Sequence, residues 1–502
     1  MSHRALSLLA FLVALGAGAT AQIIPIRTVP LAQGDQYLIF PSSNLGMGGV
    51  SIALADTLLD PFRNPALGAR VGAARLLSAP TIYSLSRETG GGRTLPLAIL
   101  GREGPWFGGL SVAVQQIEGS RPFSAFPVPL GLPRGGPVPV PIPQVVGSTS
   151  RSHGNTYAFA SLGKVVSATG LSLGGSVLWS RLHALDGVDL LYPASQGLTQ
   201  SGHGLYLRLG LLKEWAGNRS LEALILHDRF SMSHDVSYLD LFWDPGTQTF
   251  TQSPRVEHNR DRATTTGLHL AYQRPLTTTG WRIGWIGTAN HVRQPRIAMN
   301  EVVTVPRDEG RSAAYNVGVG LSKRRGPGTF AIDAVYEPIW STVWKVADEP
   351  VSTALGDTIP AGGRIIENRF RFSNVVLRLG VSRDVALADM KKAVGLELGL
   401  SVRSMHYRLT QSDRVAATEQ PFRNSWVEWA PAWGLSLRFP EFELRYRGRV
   451  VNGNGRPNSF GFFGGPLTDV APSAILLPTD GTLELAGVTT TTHQLSLSLP
   501  LR

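Results

Sequence analysis

Several stretches of this chain repeat one pattern, and that pattern leaves few folds open. In LYLRLGLL, Leu205, Leu207, Leu209 and Leu211 alternate with Tyr206, Arg208 and Gly210. VVLRLGVS sets Val375, Leu377, Leu379 and Val381 against Arg378, Gly380 and Ser382. WGLSLRF and FELRYRG alternate around Arg438 and Arg445, and Leu495, Leu497, Leu499 and Leu501 carry the pattern onward. Strict period-two alternation describes strands with one apolar and one polar face. A soluble sandwich alternates too, so the connections decide. Sixteen candidate strands fall between residues 78 and 501, and short turns such as REGP and RRGPG alternate with long polar or Pro-rich loops. That segregation of loops predicts an all-β fold, a transmembrane antiparallel up-and-down β-barrel of about 14–16 strands.

The bilayer supplies the physical logic. Unpaired backbone groups in hydrocarbon cost several kcal/mol each, so strands span it only as a closed barrel. The leucine rows then face lipid, and the Arg, Gly and Ser rows face the lumen. An arginine on the lipid face at mid-depth would cost about 2–4 kcal/mol. This places Arg208, Arg378, Arg403, Arg438, Arg445 and Arg447 inside. Trp106, Trp281, Trp340 and Trp426 lie near strand ends and fit interfacial aromatic girdles.

Residues 1–21 read as a signal peptide, with Arg4, an apolar core and an Ala19-Thr20-Ala21 cleavage site. No later segment has the ~20 consecutive apolar residues of a membrane helix. The chain has no cysteine, which excludes disulfides, thiolate metal sites and a cysteine nucleophile. The net charge is +11 without a basic tract, so outer-membrane lipid or lipopolysaccharide is a nearer partner than nucleic acid. The expected location is the bacterial outer membrane.

Residues 22–75 fall outside the hairpin scheme. SIALADTLLD, Ser51–Asp60, reads as about two helical turns ended by Pro61. FRNPALG reads as a turn centred on Asn64-Pro65, because Pro fixes φ and Asn bonds the nearby backbone. A compact segment made before the first strand can fold into the lumen as a hatch; a periplasmic extension is the other reading. The expected parts are 1–21, a hatch over 22–75 containing a short helix, and a barrel over 76–502.

LGMGGVSIALADTLLDPFRNPALG resembles the N-terminal signature of the outer-membrane FadL/PorV-type barrel superfamily, LGMGGA-x-x-A-x-A-D followed by NPAGL. Leu45, Gly46, Met47, Gly48, Gly49, Ala53, Ala55, Asp56, Asn64, Pro65, Ala66 and Leu67 match in order and spacing. The departures are Gly68 in place of the Gly-Leu order and a strand count above the family's usual one. The resemblance implies an exported barrel whose luminal hatch carries the Asn-Pro-Ala turn, with Gly46, Gly48, Gly49, Asp56, Asn64, Pro65 and Ala66 as hatch residues. It implies passive uptake of hydrophobic or amphipathic molecules such as long-chain fatty acids past that hatch. Alternatively, as in the PorV-like branch, it implies a surface scaffold or secretion-accessory barrel that binds protein cargo.

Polar constellations are sparse. His227-Asp228 and His234-Asp235 form the nearest thing to a metal cluster, but zinc needs three convergent ligands and these pairs read as loop residues. GVGLSKRRG lacks phosphate-loop spacing, and Asn218-Arg219-Ser220 reads as a turn. The chain is accordingly read as no enzyme, with no metal or other cofactor. Two readings of the inward arginines stay open. A file of Arg208, Arg378 and Arg438 would receive a carboxylate or phosphate head group; a network with Glu397 and Glu443 would anchor the hatch. The Pro-rich loop 121–144 is a greasy landing site, a lid, or an unconstrained loop.

Overall fold

The computed structural model describes residues 36, 39, 44–55, 60–88, 90–119, 129–130, 152–166, 170–186, 188, 196–244, 246–247, 249–276, 280–294, 309–386, 393–457 and 485–501. The signal peptide, Asp56 and nearly all of loop 121–144 lie outside them.

The strands run β1 (Arg75–Ser78), β2 (Thr81–Leu85), β3 (Gly91–Glu103), β4 (Trp106–Glu118), β5 (Pro129–Leu130), β6 (Ser152–Val166) and β7 (Leu171–Leu182). They continue as β8 (Gly197–Trp215), β9 (Arg219–Asp244), β10 (Thr249–Pro275), β11 (Trp281–Gln294), β12 (Glu309–Arg325) and β13 (Gly328–Val346). After a small hairpin of β14 (Val351–Ser352) and β15 (Thr358–Ile359) come β16 (Arg364–Ala386), β17 (Ala393–Asp413), β18 (Thr418–Arg438), β19 (Glu443–Pro457) and β20 (Leu485–Pro500).

β1 and β2 form one stave broken at Ala79-Pro80, and both pair with β3 on one side and β20 on the other. That pairing closes a 16-strand antiparallel barrel, so no main edge is left open to hydrocarbon. The longest strands, β9 and β10 with 26 and 27 residues, far exceed the ~9–11 that cross a bilayer. They therefore project beyond it at the long-loop end.

Burial reverses the order of a soluble protein. Leu209, Val317 and Leu162 are 67%, 66% and 63% exposed, whereas Asn316, Glu337 and Asn374 are 0% exposed. On β20 the inward row is Thr490, Thr492, Gln494, Ser496 and Ser498, all buried, while Leu495 points out. An apolar outside around a polar inside fits lipid as the surrounding solvent. The short-turn end of the outer belt carries cross-strand lysine–tryptophan pairs. The Lys164 ammonium lies 5.0 Å from the Trp106 ring, and the Lys323 ammonium lies 4.8 Å from the Trp281 ring.

Two expectations need correction. Ser51–Ala55 is not helical, and the N-terminal segment instead makes short 3-10 turns at Leu45–Met47, Asp60–Phe62 and Pro65–Arg70. The Ser51 and Ile52 amides donate to the Asp333 carboxylate on the barrel wall, and the Ala53 carbonyl, an acceptor that a helix would use, instead accepts from the Ser322 hydroxyl. Trp426 is not a girdle residue. It shares the inward parity of Glu428 and stacks on Tyr407, whereas Trp429, 50% exposed, faces out.

Candidate functional site

The lumen is built from the inward rows, and glycines shape it. Gly174 pairs with Gly210, Gly284 with Gly320, and Gly380 with Gly399, each pair side by side on adjacent strands. Glycine inside a strand weakens it and marks a close backbone approach. Here the approaching backbone is the N-terminal segment. A Cβ at Gly174 would sit 2.8 Å from the Pro65 carbonyl carbon, one at Gly320 2.6 Å from the Ile52 Cβ, and one at Gly380 2.5 Å from the Met47 carbonyl oxygen. Their partners Gly210, Gly284 and Gly399 are blocked in turn by Asn64, Ile52 and Gly48. Three double-glycine notches thus receive three points of one segment, all within a few residues of the short turns.

The segment is shaped to enter them. Gly48 and Gly49 have φ of 70° and 77°, which folds the chain back so that the Gly49 amide reaches the Asn44 carbonyl at 2.9 Å. Gly46 leaves no room for a side chain either, lying against Glu397 and the Gly434 backbone. Asn64 caps the third turn by accepting from the Ala66 amide at 3.1 Å, with Pro65 at the first helical position.

Polar side chains fasten it. Asp333 accepts from the Ser51 and Ile52 amides at 2.7 and 3.2 Å, and the Ser322 hydroxyl donates to the Ala53 carbonyl at 2.8 Å. Arg208 donates to the carbonyls of Phe62 and Arg63 at 2.9 and 3.1 Å. Arg378 lies directly across from Asp333 and beside Gly49. Neighbouring Arg403 pairs with Glu337 at 3.4 Å, and Arg447 with Glu397 at 3.3 Å. Arg438 stands apart, at the rim, where it pairs with Asp384 and, at 3.8 Å, with Glu443. The three arginines therefore do not form one file. Arg208→Ala is expected to lower stability by about 1.5–3 kcal/mol, because two buried carbonyls lose a charged donor; the urea midpoint of the detergent-solubilised barrel reads this directly.

Between Ile52 and Leu67 lies a cavity of ≈ 40 Å³, also lined by Asp60, Arg63, Glu222 and His269. It has room for about one water, not an acyl chain. The inner half of the barrel is thus occupied where the segment sits.

The outer half differs in chemistry. Phe370 and Phe372 stack at 6.0 Å, Phe372 meets Tyr407 at 5.9 Å, and Tyr407 stacks on Trp426 at 5.4 Å. This inward aromatic track crosses β16, β17 and β18 and joins an apolar cluster with Ile339, Val343 and Leu409. It ends at a seam. The β18–β19 ladder stops at Trp429 and Asn452, so among the described residues, 418–428 of β18 are not in backbone register with β19, and Asn454 reaches across only through its side chain, to the Glu428 carboxylate at 3.5 Å. Pro431 removes one ladder donor, and Gly453, with φ of 83°, turns β19 at the same level.

The histidine–aspartate pairs do not converge. Adjacent residues on a strand face opposite ways, so His227 points out and Asp228 in, while Asp235 points out and meets His258 at 2.7 Å.

No protein-family model and no curated protein matches the sequence. Among solved structures, the chain is similar to a Pseudomonas aeruginosa FadL homologue, at 11% identity and a TM-score of 0.46, covering 94% of this chain and 100% of that one. It is also similar to the toluene transporters TodX of Pseudomonas putida (11% identity, TM-score 0.38, covering 94% and 100%) and TbuX of Ralstonia pickettii (8% identity, TM-score 0.37, covering 93% and 100%).

Proposed function

We propose that this barrel admits hydrophobic and amphipathic small molecules, long-chain fatty acids among them, passively across the bacterial outer membrane. Residues 1–21 export the chain, and residues 22–75 act as its hatch. One observation carries the reading: a continuous track of ring contacts from Phe370 to Trp426 lines the inner wall and ends beside the β18–β19 seam. A polar solute gains nothing from stacked rings. An acyl chain or aromatic hydrocarbon gains about 25 cal/mol for each Å² of apolar surface removed from water.

Below the track, the seated segment blocks direct passage. Arg208 and Arg378 are engaged with that segment or its anchor, which favours an anchoring role over head-group capture. The bilayer around the barrel, with its lipopolysaccharide, is the remaining partner. The scaffold reading, with secreted protein as cargo, has no comparable observation in its favour.

Uptake of a labelled long-chain fatty acid into liposomes carrying the mature protein tests this. Phe372→Ala with Trp426→Ala is expected to cut the rate about tenfold, through loss of two aromatic contacts of roughly 0.5–1.5 kcal/mol each. A chain lacking residues 22–71, checked to fold as a barrel, is expected to leak small solutes without selection. No uptake by the intact protein would sink fatty-acid transport and move the scaffold reading to first place.

A further inference from the structure

The outer face carries a second pattern that transport does not use. His-x-Arg occurs at His227-Asp228-Arg229, His258-Asn259-Arg260, His291-Val292-Arg293 and His406-Tyr407-Arg408. These triplets lie on β9, β10, β11 and β17, and in each the arginine is exposed on the outward face. In two of them the arginine Nε donates to the histidine Nε2, at 3.3 Å for Arg229 and 3.2 Å for Arg293. The imidazole occupies one donor of each guanidinium and leaves the terminal fork directed outward.

The arginines begin where the apolar run ends, at the long-loop end. On β17 the outward row reads Leu396, Leu398, Leu400, Val402, Ser404, His406, Arg408. On β18 it reads Leu435, Trp433, Pro431, Trp429, Val427, Ser425, Arg423, and on β16 it passes from Val375 through Ser373 to Arg371. The opposite end of the belt uses lysine against tryptophan instead. The two membrane boundaries are therefore chemically distinct.

Register brings the arginines together. Arg371 lies directly opposite Arg408, and Arg408 directly opposite Arg423. Arg293 lies opposite Arg311 in the same way. Like charges directly opposite on adjacent strands repel. No ion pair to an acidic side chain among the described residues offsets Arg371, Arg408, Arg423, Arg293 or Arg311. Elsewhere on the wall the chain does pair such charges, as with Arg93 and Glu118 at 3.0 Å. A row of opposed guanidinium groups left unpaired at the edge of a hydrocarbon belt has one missing partner: a fixed anion at that depth.

We infer that Arg371, Arg408 and Arg423 bind the phosphate groups of an acylated lipid in the outer leaflet. Val375, Val402 and Val427 lie beneath them along its acyl chains. Each guanidinium presents a planar fork that matches phosphate oxygens, and phosphate between two opposed arginines turns repulsion into two charge-assisted bonds. The acyl chains select a lipid over free phosphate, since the valines lie toward the bilayer from the arginines. The Arg293–Arg311 pair on β11 and β12 repeats the arrangement on the same side of the wall, with only β13 between β12 and β16. This inference rests on the membrane placement of the barrel and not on what it transports, so it stands or falls separately from uptake.

Native mass spectrometry of the detergent-purified full barrel, titrated with bisphosphorylated lipid A, tests it. The intact protein is expected to retain this lipid about tenfold better than dephosphorylated lipid A, the equivalent of one lost charge-assisted contact. The Arg371→Gln, Arg408→Gln, Arg423→Gln variant is expected to lose that preference. All three side chains are exposed, and heat-modifiable mobility verifies that the variant is folded. Lys164→Gln with Lys323→Gln, at the other boundary, is expected to change nothing. Equal retention of both lipids by the intact protein, an unchanged preference in the arginine variant, or an equal loss in the lysine variant would each overturn the inference. Retention that free inorganic phosphate abolishes at equal concentration would overturn the lipid assignment as well.

Discussion

Replacing Gly399 with leucine is expected to unseat the N-terminal segment while leaving the barrel closed. A Cβ there collides with the backbone of Met47 and Gly48, and backbone in a fastened turn cannot swing aside as a flexible side chain would. Overpacking of this kind costs about 1–3 kcal/mol. The seated population should therefore fall by about ten- to hundredfold relative to the open one. The absence of cysteine from the chain makes this easy to read. A single Ser51→Cys reporter, treated with a membrane-impermeant maleimide in liposomes, should label faster by that factor in the Gly399→Leu background. Gly287→Leu is the matched control, since Gly287 faces outward with nothing within 4 Å of its missing Cβ. Unchanged labelling in Gly399→Leu would mean that the notch does not hold the segment.

The second large effect is expected at Asp333. Its carboxylate accepts both the Ser51 and Ile52 amides and lies across from the buried guanidinium of Arg378. Asp333→Ala removes the shared acceptor of two backbone amides at once and takes away one of the carboxylates that face Arg378. Hydrogen bonds to a charged group are worth about 1.5–3 kcal/mol each, so a loss of about 3 kcal/mol or more is expected. Denaturant unfolding of the solubilised barrel should register that loss, with Asp333→Asn intermediate because it keeps one acceptor. Asp333→Ala combined with Arg378→Met should recover only a small part of it, since the two amides still lack their acceptor. A loss below about 1 kcal/mol in Asp333→Ala would place the segment's hold elsewhere, as surface substitutions typically stay within 0.5.

The barrel itself was legible because its evidence is local. Alternation is written residue by residue along each strand, and the sixteen staves follow from reading it sixteen times. The parity that places Trp426 inside was also present: it differs from that of Trp433, Leu435 and Leu437, which stand on the outward row. Position near a strand end concealed it. The glycine notches left a trace as well, in the repeated Arg-Leu-Gly of Arg208–Gly210 and Arg378–Gly380. In both, an inward arginine that engages the segment or its anchor precedes the gap the segment fills. Pairing of Gly380 with Gly399, or Gly284 with Gly320, depends on register between strands, which no single stretch records. The helix expected over Ser51–Asp60 and absent from Ser51–Ala55 has the same origin. Local propensity favours it, but Ser322, hundreds of residues later, takes the Ala53 carbonyl that a helix would use.

The placement of those notches also fixes an order of events in assembly. Residues 44–71 are synthesised before every strand of the wall, yet the seats they require are formed by β7 with β8, β11 with β12, and β16 with β17. No seat exists until widely separated parts of the chain have paired, and contacts of such long range form late and slowly. This early-made segment therefore has its full set of seats only after β17 has paired with β16. A chain halted before β17 would possess two of its three seats and an incomplete wall, so a segment docked in all three reports that the wall has been paired as far as β17.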